Sequence, residues 1–78
     1  MKQPVTAWIT QWLAARRPGD AIALDPDTDL YKTGLLDSLG IIELIESLED
    51  VYGFQFTEEE MQAGLTRVGD FERIIGNR

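Results

Sequence analysis

The chain has no cysteine and no histidine. Without cysteine there is no disulfide to staple the fold and no thiolate to act as nucleophile or soft metal ligand. Without histidine, most zinc sites are excluded, and so is the side chain best suited to moving protons near neutral pH. Positive charge is scarce as well: 7 Lys and Arg against 14 Asp and Glu give a formal net charge of −7. The shortage is local. Between Lys32 and Arg67 there is no basic residue, whereas Asp37, Glu43, Glu46, Glu49, Asp50, Glu58, Glu59 and Glu60 all fall there. Such a stretch repels nucleic acid and anionic lipid and favours a basic protein surface. Long apolar runs are also missing, since none approaches the roughly 20 residues of a membrane span. The opening Met1-Lys2-Gln3-Pro4 lacks the apolar core of a secretory signal. The expectation is a soluble, cytoplasmic chain forming one domain over residues 1–78. At that length folding buries only about 60% of the chain's surface, so stability should be marginal.

What is present is helical periodicity. Pro4 suits the first turn of a helix, where its missing N–H would have had no partner. Val5, Trp8, Ile9, Trp12 and Leu13 then recur at the spacing of one apolar face. Arg16 and Arg17 complement the dipole of the last turn, and Pro18-Gly19 ends the helix. Residues 18–37 form a long connection, with Ile22, Leu24, Leu30, Tyr31, Leu35 and Leu36 spaced as anchors that tack it over the helices. Within it, Asp25-Pro26-Asp27-Thr28-Asp29 begins like a calcium loop. That loop needs glycine at its sixth position and glutamate at its twelfth, and this chain has Leu30 and Leu36 there, so no metal site is expected.

The second helix opens at Asp37-Ser38 and closes at Gly53. At 3.6 residues per turn, Ile41, Leu44, Ile45, Leu48, Val51 and Tyr52 share a core-facing stripe. Glu43, Glu46, Ser47 and Asp50 lie opposite, with Glu49 at their edge. Leu39 and Ile42 break the division by falling on or beside the acidic side. Phe54-Gln55-Phe56 then returns the chain to the core. Thr57 and Glu60 are spaced as a capping box, with Phe56 and Met61 placed for a hydrophobic staple. These predict a third helix of about two turns, from Glu58 to near Gly64. A fourth opens near Thr66, carries Val68, Phe71, Ile74 and Ile75 on one face, and stops at Gly76. Gly69 in its first turn permits close backbone approach. The fold class is all-α, a small four-helix bundle with a long first loop and a short third helix.

Ser38 has no histidine to take its proton, and Lys32 is the only lysine near it in sequence, so a hydrolase nucleophile is not expected. The carboxylates cluster on one wet face rather than in the contrasting environments that an acid–base pair needs. The residues read as a binding protein rather than an enzyme. Aspartate and serine both favour a helix cap, and a helix start also favours a bound anion, so Asp37-Ser38 suits both roles.

Asp37-Ser38-Leu39, followed by the Ile/Leu and Glu pattern and Tyr52-Gly53-Phe54, resembles the core motif of acyl and peptidyl carrier proteins. The resemblance runs from about Trp8 to Ile75. It implies an acyl carrier protein-like bundle, with phosphopantetheine attached covalently to Ser38. It also implies a surface of Asp37, Leu39, Ile42, Glu43, Glu46, Glu49 and Asp50 for docking partners. Those partners would be a phosphopantetheinyl transferase and the enzymes that load and transfer an acyl or aminoacyl group. Neither nucleic acid binding nor membrane insertion is implied, and the carrier would be a monomer. Gly40 and Glu46 depart from the commonest fatty-acid carriers. Gly34-Leu35-Leu36-Asp37-Ser38-Leu39-Gly40 looks closer to stand-alone carriers of amino acids or specialised acyl groups, D-alanyl carriers among them. A non-carrier helical module docking a basic partner is the alternative.

Overall fold

The computed structural model describes residues 4–77. Among the described residues there are four helices: α1 (Val5–Arg16), α2 (Ser38–Tyr52), α3 (Glu58–Gln62) and α4 (Val68–Gly76). Pro4 sits just outside α1 as its N-cap rather than within its first turn. On α1, Ile9 and Leu13 are fully buried, while Val5, Trp8 and Trp12 pack against the core from its edge. The two tryptophans stack on each other with centroids 6.4 Å apart, and Trp8 meets Tyr52 of α2 edge-on at 6.5 Å.

Helix α2 contributes Ile41, Leu44, Ile45 and Leu48 to the core. Val51 departs from the expected stripe and is 42% exposed. At 100° per residue it lies about 80° from the centre line of the other five positions, so the last turn carries it out to the rim. Tyr52, nearer the centre line, packs against the core as expected. Gly53 ends the helix in the left-handed conformation at φ 70°, where an L side chain would be strained, and returns its N–H to the Glu49 carbonyl at 2.9 Å.

Phe56 then enters the core, edge-on to both Phe54 (4.7 Å) and Phe71 of α4 (5.9 Å). Helix α3 has the expected capping box between Thr57 and Glu60. It is only five residues long and buries none of them. Met61 is 44% exposed, so the staple expected between it and Phe56 does not bring it inside. Helix α4 buries Val68, Phe71, Ile74 and Ile75, and includes Gly76 as its last residue.

The long first connection is tacked down chiefly by Leu30 and Leu36, both buried, with Ile22, Leu24 and Leu35 half-buried. Tyr31 is the exception among the expected anchors and is 51% exposed. Backbone hydrogen bonds do the rest. The Leu30 N–H donates to the Thr66 carbonyl (2.7 Å), Val68 to Thr28 (3.0 Å) and Gly69 to Pro26 (2.9 Å). A Cβ at Gly69 would lie 2.8 Å from the Pro26 carbonyl oxygen, so only glycine lets α4 approach the loop this closely. Asp29 completes the junction. One oxygen accepts the N–H groups of Tyr31 (3.0 Å) and Lys32 (2.8 Å), and the other accepts the Thr66 hydroxyl (3.0 Å). The aspartate run that opens like a calcium loop thus closes turns with its own backbone: Asp25 likewise accepts the Asp27 N–H at 2.8 Å.

Candidate functional site

Helix α2 begins where the long connection has been fixed from both sides. Leu36 is buried, its N–H donates to the Leu30 carbonyl (2.9 Å), and the Arg17 guanidinium reaches the Leu35 carbonyl (3.4 Å). The next residue, Asp37, is the N-cap. Its carboxylate accepts the Gly40 N–H at 2.7 Å. Gly40 is buried beneath this cap, and a Cβ there would lie 3.0 Å from Leu36 Cδ2 and 3.2 Å from the Asp37 carboxylate. A larger side chain at that position would push against the residue that anchors the loop. This is a physical reason for glycine at position 40.

Ser38 follows as the first residue of α2 and is exposed. Because Asp37 satisfies the cap, the Ser38 hydroxyl is left outside it. The first N–H groups of a helix lack intrahelical partners, and the helix dipole adds partial positive charge there. An ester of phosphate on this hydroxyl would therefore sit in a favourable field. The site fits phosphopantetheine in three respects: an exposed hydroxyl, a rigid helix start, and an apolar recess beside it.

That recess is a cleft of about 420 Å³ between α2, the first connection and the α3 region. Tyr31, Ser38, Ile41, Ile42, Ile45, Met61, Gly64, Leu65 and Thr66 line it. Tyr31, Ile42 and Met61 are three of the exposed large apolar side chains of the molecule, and all three border this one opening. Sequence reading assigned Tyr31 and Met61 to packing and so missed the cleft. Only Ile42 betrayed it, through its position beside the acidic face.

The residues expected at a docking surface divide into groups. Leu39 (63% exposed), Ile42 (51% exposed), Glu46 and Asp50 face outward on α2. Glu43 turns toward α1, where Arg16 Nη1 donates to its carboxylate. Glu49 turns back under the helix end, and its carboxylate accepts the Phe56 N–H at 2.8 Å. Asp37 is exposed but engaged as the cap. The structure thus gathers Ser38, Leu39, Ile42, Glu46 and Asp50 on one open surface and sets Glu43 and Glu49 at its two margins.

Comparison with known proteins bears on this arrangement. A family model described as a phosphopantetheine attachment site matches residues 10–75, which include Ser38 and both walls of the cleft. The D-alanyl carrier protein of Bacillus velezensis is 41% identical over 34 residues, 44% of this chain and 44% of that protein. The acyl carrier protein of Helicobacter pylori is 32% identical over 56 residues, 72% of this chain and 70% of that protein. The matched stretch thus spans less than half the length of the first of these relatives.

Proposed function

The chain belongs to the phosphopantetheine attachment-site family of carrier proteins, and from that premise we propose that it holds an acyl or aminoacyl group as a thioester for partner enzymes in a specialised biosynthetic pathway. Members of this family carry their cargo and do not transform it, which accords with a chain lacking both cysteine and histidine. Ser38 is the attachment point. When attached, phosphopantetheine supplies a thiol on a flexible arm, the reactive group that the chain itself lacks.

The protein's part is placement. Asp37 caps α2 and leaves the Ser38 hydroxyl free, Leu36 and Gly40 fix the direction in which the helix starts, and the exposed side chains around it offer partners a recognition surface. The observation that carries this reading is the exposed Ser38 at the rim of the apolar cleft, just outside a cap already satisfied by its neighbour. Leu39 and Ile42 would form the centre of the partner contact, with Glu46 and Asp50 as its acidic rim. Contacts this small give the weak, quickly reversed binding that a shuttle between enzymes requires. The cargo class follows from the likeness of the Gly34–Gly40 segment to aminoacyl and specialised acyl carriers.

Incubation with coenzyme A and a broad-specificity phosphopantetheinyl transferase, followed by intact-mass measurement, tests the attachment. Wild type should gain one phosphopantetheine and Ser38→Ala none. An unmodified wild type, or a modified alanine variant, would overturn it.

A further inference from the structure

Arg16 stands out among the cations. It is the last residue of α1, yet its guanidinium reaches across to the Glu43 carboxylate on α2, 27 positions away. It also lies over the Trp12 ring, with Cζ 4.7 Å from the centroid. Trp12 stacks on Trp8, and Trp8 meets Tyr52 edge-on. The result is a closed circuit that leaves α2 at Tyr52, crosses α1 through two indoles, and returns to α2 at Glu43. A planar cation on a fixed ring gives up less side-chain freedom to make its ion pair than a free one. Both members remain reachable, with the Arg16 and Glu43 side chains 40% and 44% exposed.

We propose that Arg16 is a selectivity latch on the docking surface, an inference that rests on the carrier reading above. With Arg16 in place, Glu43 is already paired, so a partner's basic patch gains little from it. The partner that can use Glu43 is one carrying both a cation to replace Arg16 and, beside it, an acidic group to receive the displaced guanidinium. Partners with a purely basic surface are held to Glu46 and Asp50. Arg16 acts through Glu43 and is a positioning residue.

The measurement is the rate of phosphopantetheine transfer from coenzyme A at low salt, by a transferase whose docking face is purely basic, for wild type, Arg16→Ala, Glu43→Gln and the double variant. An exposed pair shifts an equilibrium by up to about five-fold. Arg16→Ala should therefore raise kcat/KM about two- to five-fold, through KM with kcat unchanged. The gain should disappear in the Glu43→Gln background, and Arg16→Lys should restore part of the wild-type behaviour. Arg73→Ala, which removes the same charge from α4, controls for net charge and should raise the rate less. An unchanged or slower Arg16→Ala, a gain that persists without Glu43, or an equal gain from Arg73→Ala would each overturn the latch. If wild type itself is never modified, the carrier reading fails and the latch with it. Normal modification of wild type without coupling between positions 16 and 43 removes the latch alone.

Discussion

At the scale of single residues, the start of α2 separates two roles that adjacent side chains could each have filled. Asp37 and Ser38 both belong to residue types that favour a helix cap, and nothing in their order says which one takes the position. The backbone decides it. Asp37 is extended and its carboxylate accepts the Gly40 N–H, whereas Ser38 already lies in the helix. The two alanine substitutions should therefore differ in size. Asp37→Ala removes a cap and should cost about 0.5–2 kcal/mol. Ser38→Ala removes an exposed hydroxyl outside the cap and should stay within about 0.5 kcal/mol of wild type. Urea unfolding of the pair checks this. Equal losses would mean that both hydroxyl and carboxylate hold the helix start.

At the scale of elements, the first connection and the start of α4 behave as one piece because Asp29 ties them. The hydrogen bond from the Lys32 N–H outweighs the opposing effect of burial and, with lesser ones from the Thr66 hydroxyl and the Tyr31 N–H, holds its carboxyl below the ordinary value of 3.8. A group whose folded pKa is depressed stabilises the fold above its unfolded value, and that contribution is lost as pH falls through the folded value. Asp29→Asn should thus be less stable than wild type at pH 7, and the gap should narrow below about pH 4. A gap that is the same at pH 7 and pH 3 would show that the charge of Asp29 contributes nothing. This junction was invisible in the sequence, because the run Asp25–Asp29 has the spacing of turn formers but does not name Thr66 as the partner. The helices were far more legible, since capping and 3.6-residue spacing are local. Where periodicity misled, it did so at margins: Val51 at the last turn of α2, and Tyr31 and Met61, whose apolar character suits a core but whose positions border the cleft. Ile42 tests that division of faces directly. As a half-exposed side chain, Ile42→Ala should cost less than about 1 kcal/mol. Leu48→Ala should cost about 2–5 kcal/mol because Leu48 is fully buried. Transfer kinetics should reverse the order, with Ile42→Ala slower by about tenfold or more if it anchors the contact. Matching stability losses from chemical denaturation would place Ile42 in the core.

At the scale of the whole molecule, the charge of −7 acts on partners through where it lies rather than through its sum. Sequence showed a stretch without cations from residue 33 to residue 66, but not how the fold would divide its carboxylates. Arg16 meets Glu43 from a helix 27 positions earlier, and Glu49 spends its charge on the Phe56 N–H, so both are partly withdrawn from the surface. Such pairings depend on how helices cross, which no local pattern encodes. Glu46 and Asp50 are left as the outward acidic positions one helical turn apart, beside Leu39 and Ile42. They are where a field from this face should steer a basic enzyme toward Ser38. Reversing both, Glu46→Lys with Asp50→Lys, should slow phosphopantetheine transfer by about tenfold or more at low salt, chiefly through the rate of association. Added salt should slow wild type toward the variant, because exposed charges are screened within about 10 Å at 0.1 M. Both side chains are exposed, so helical circular dichroism should be unchanged. Transfer that is indifferent to both the double reversal and the salt would mean that this acidic face is simply solvated, and that recognition rests on the apolar side chains around Ser38 alone.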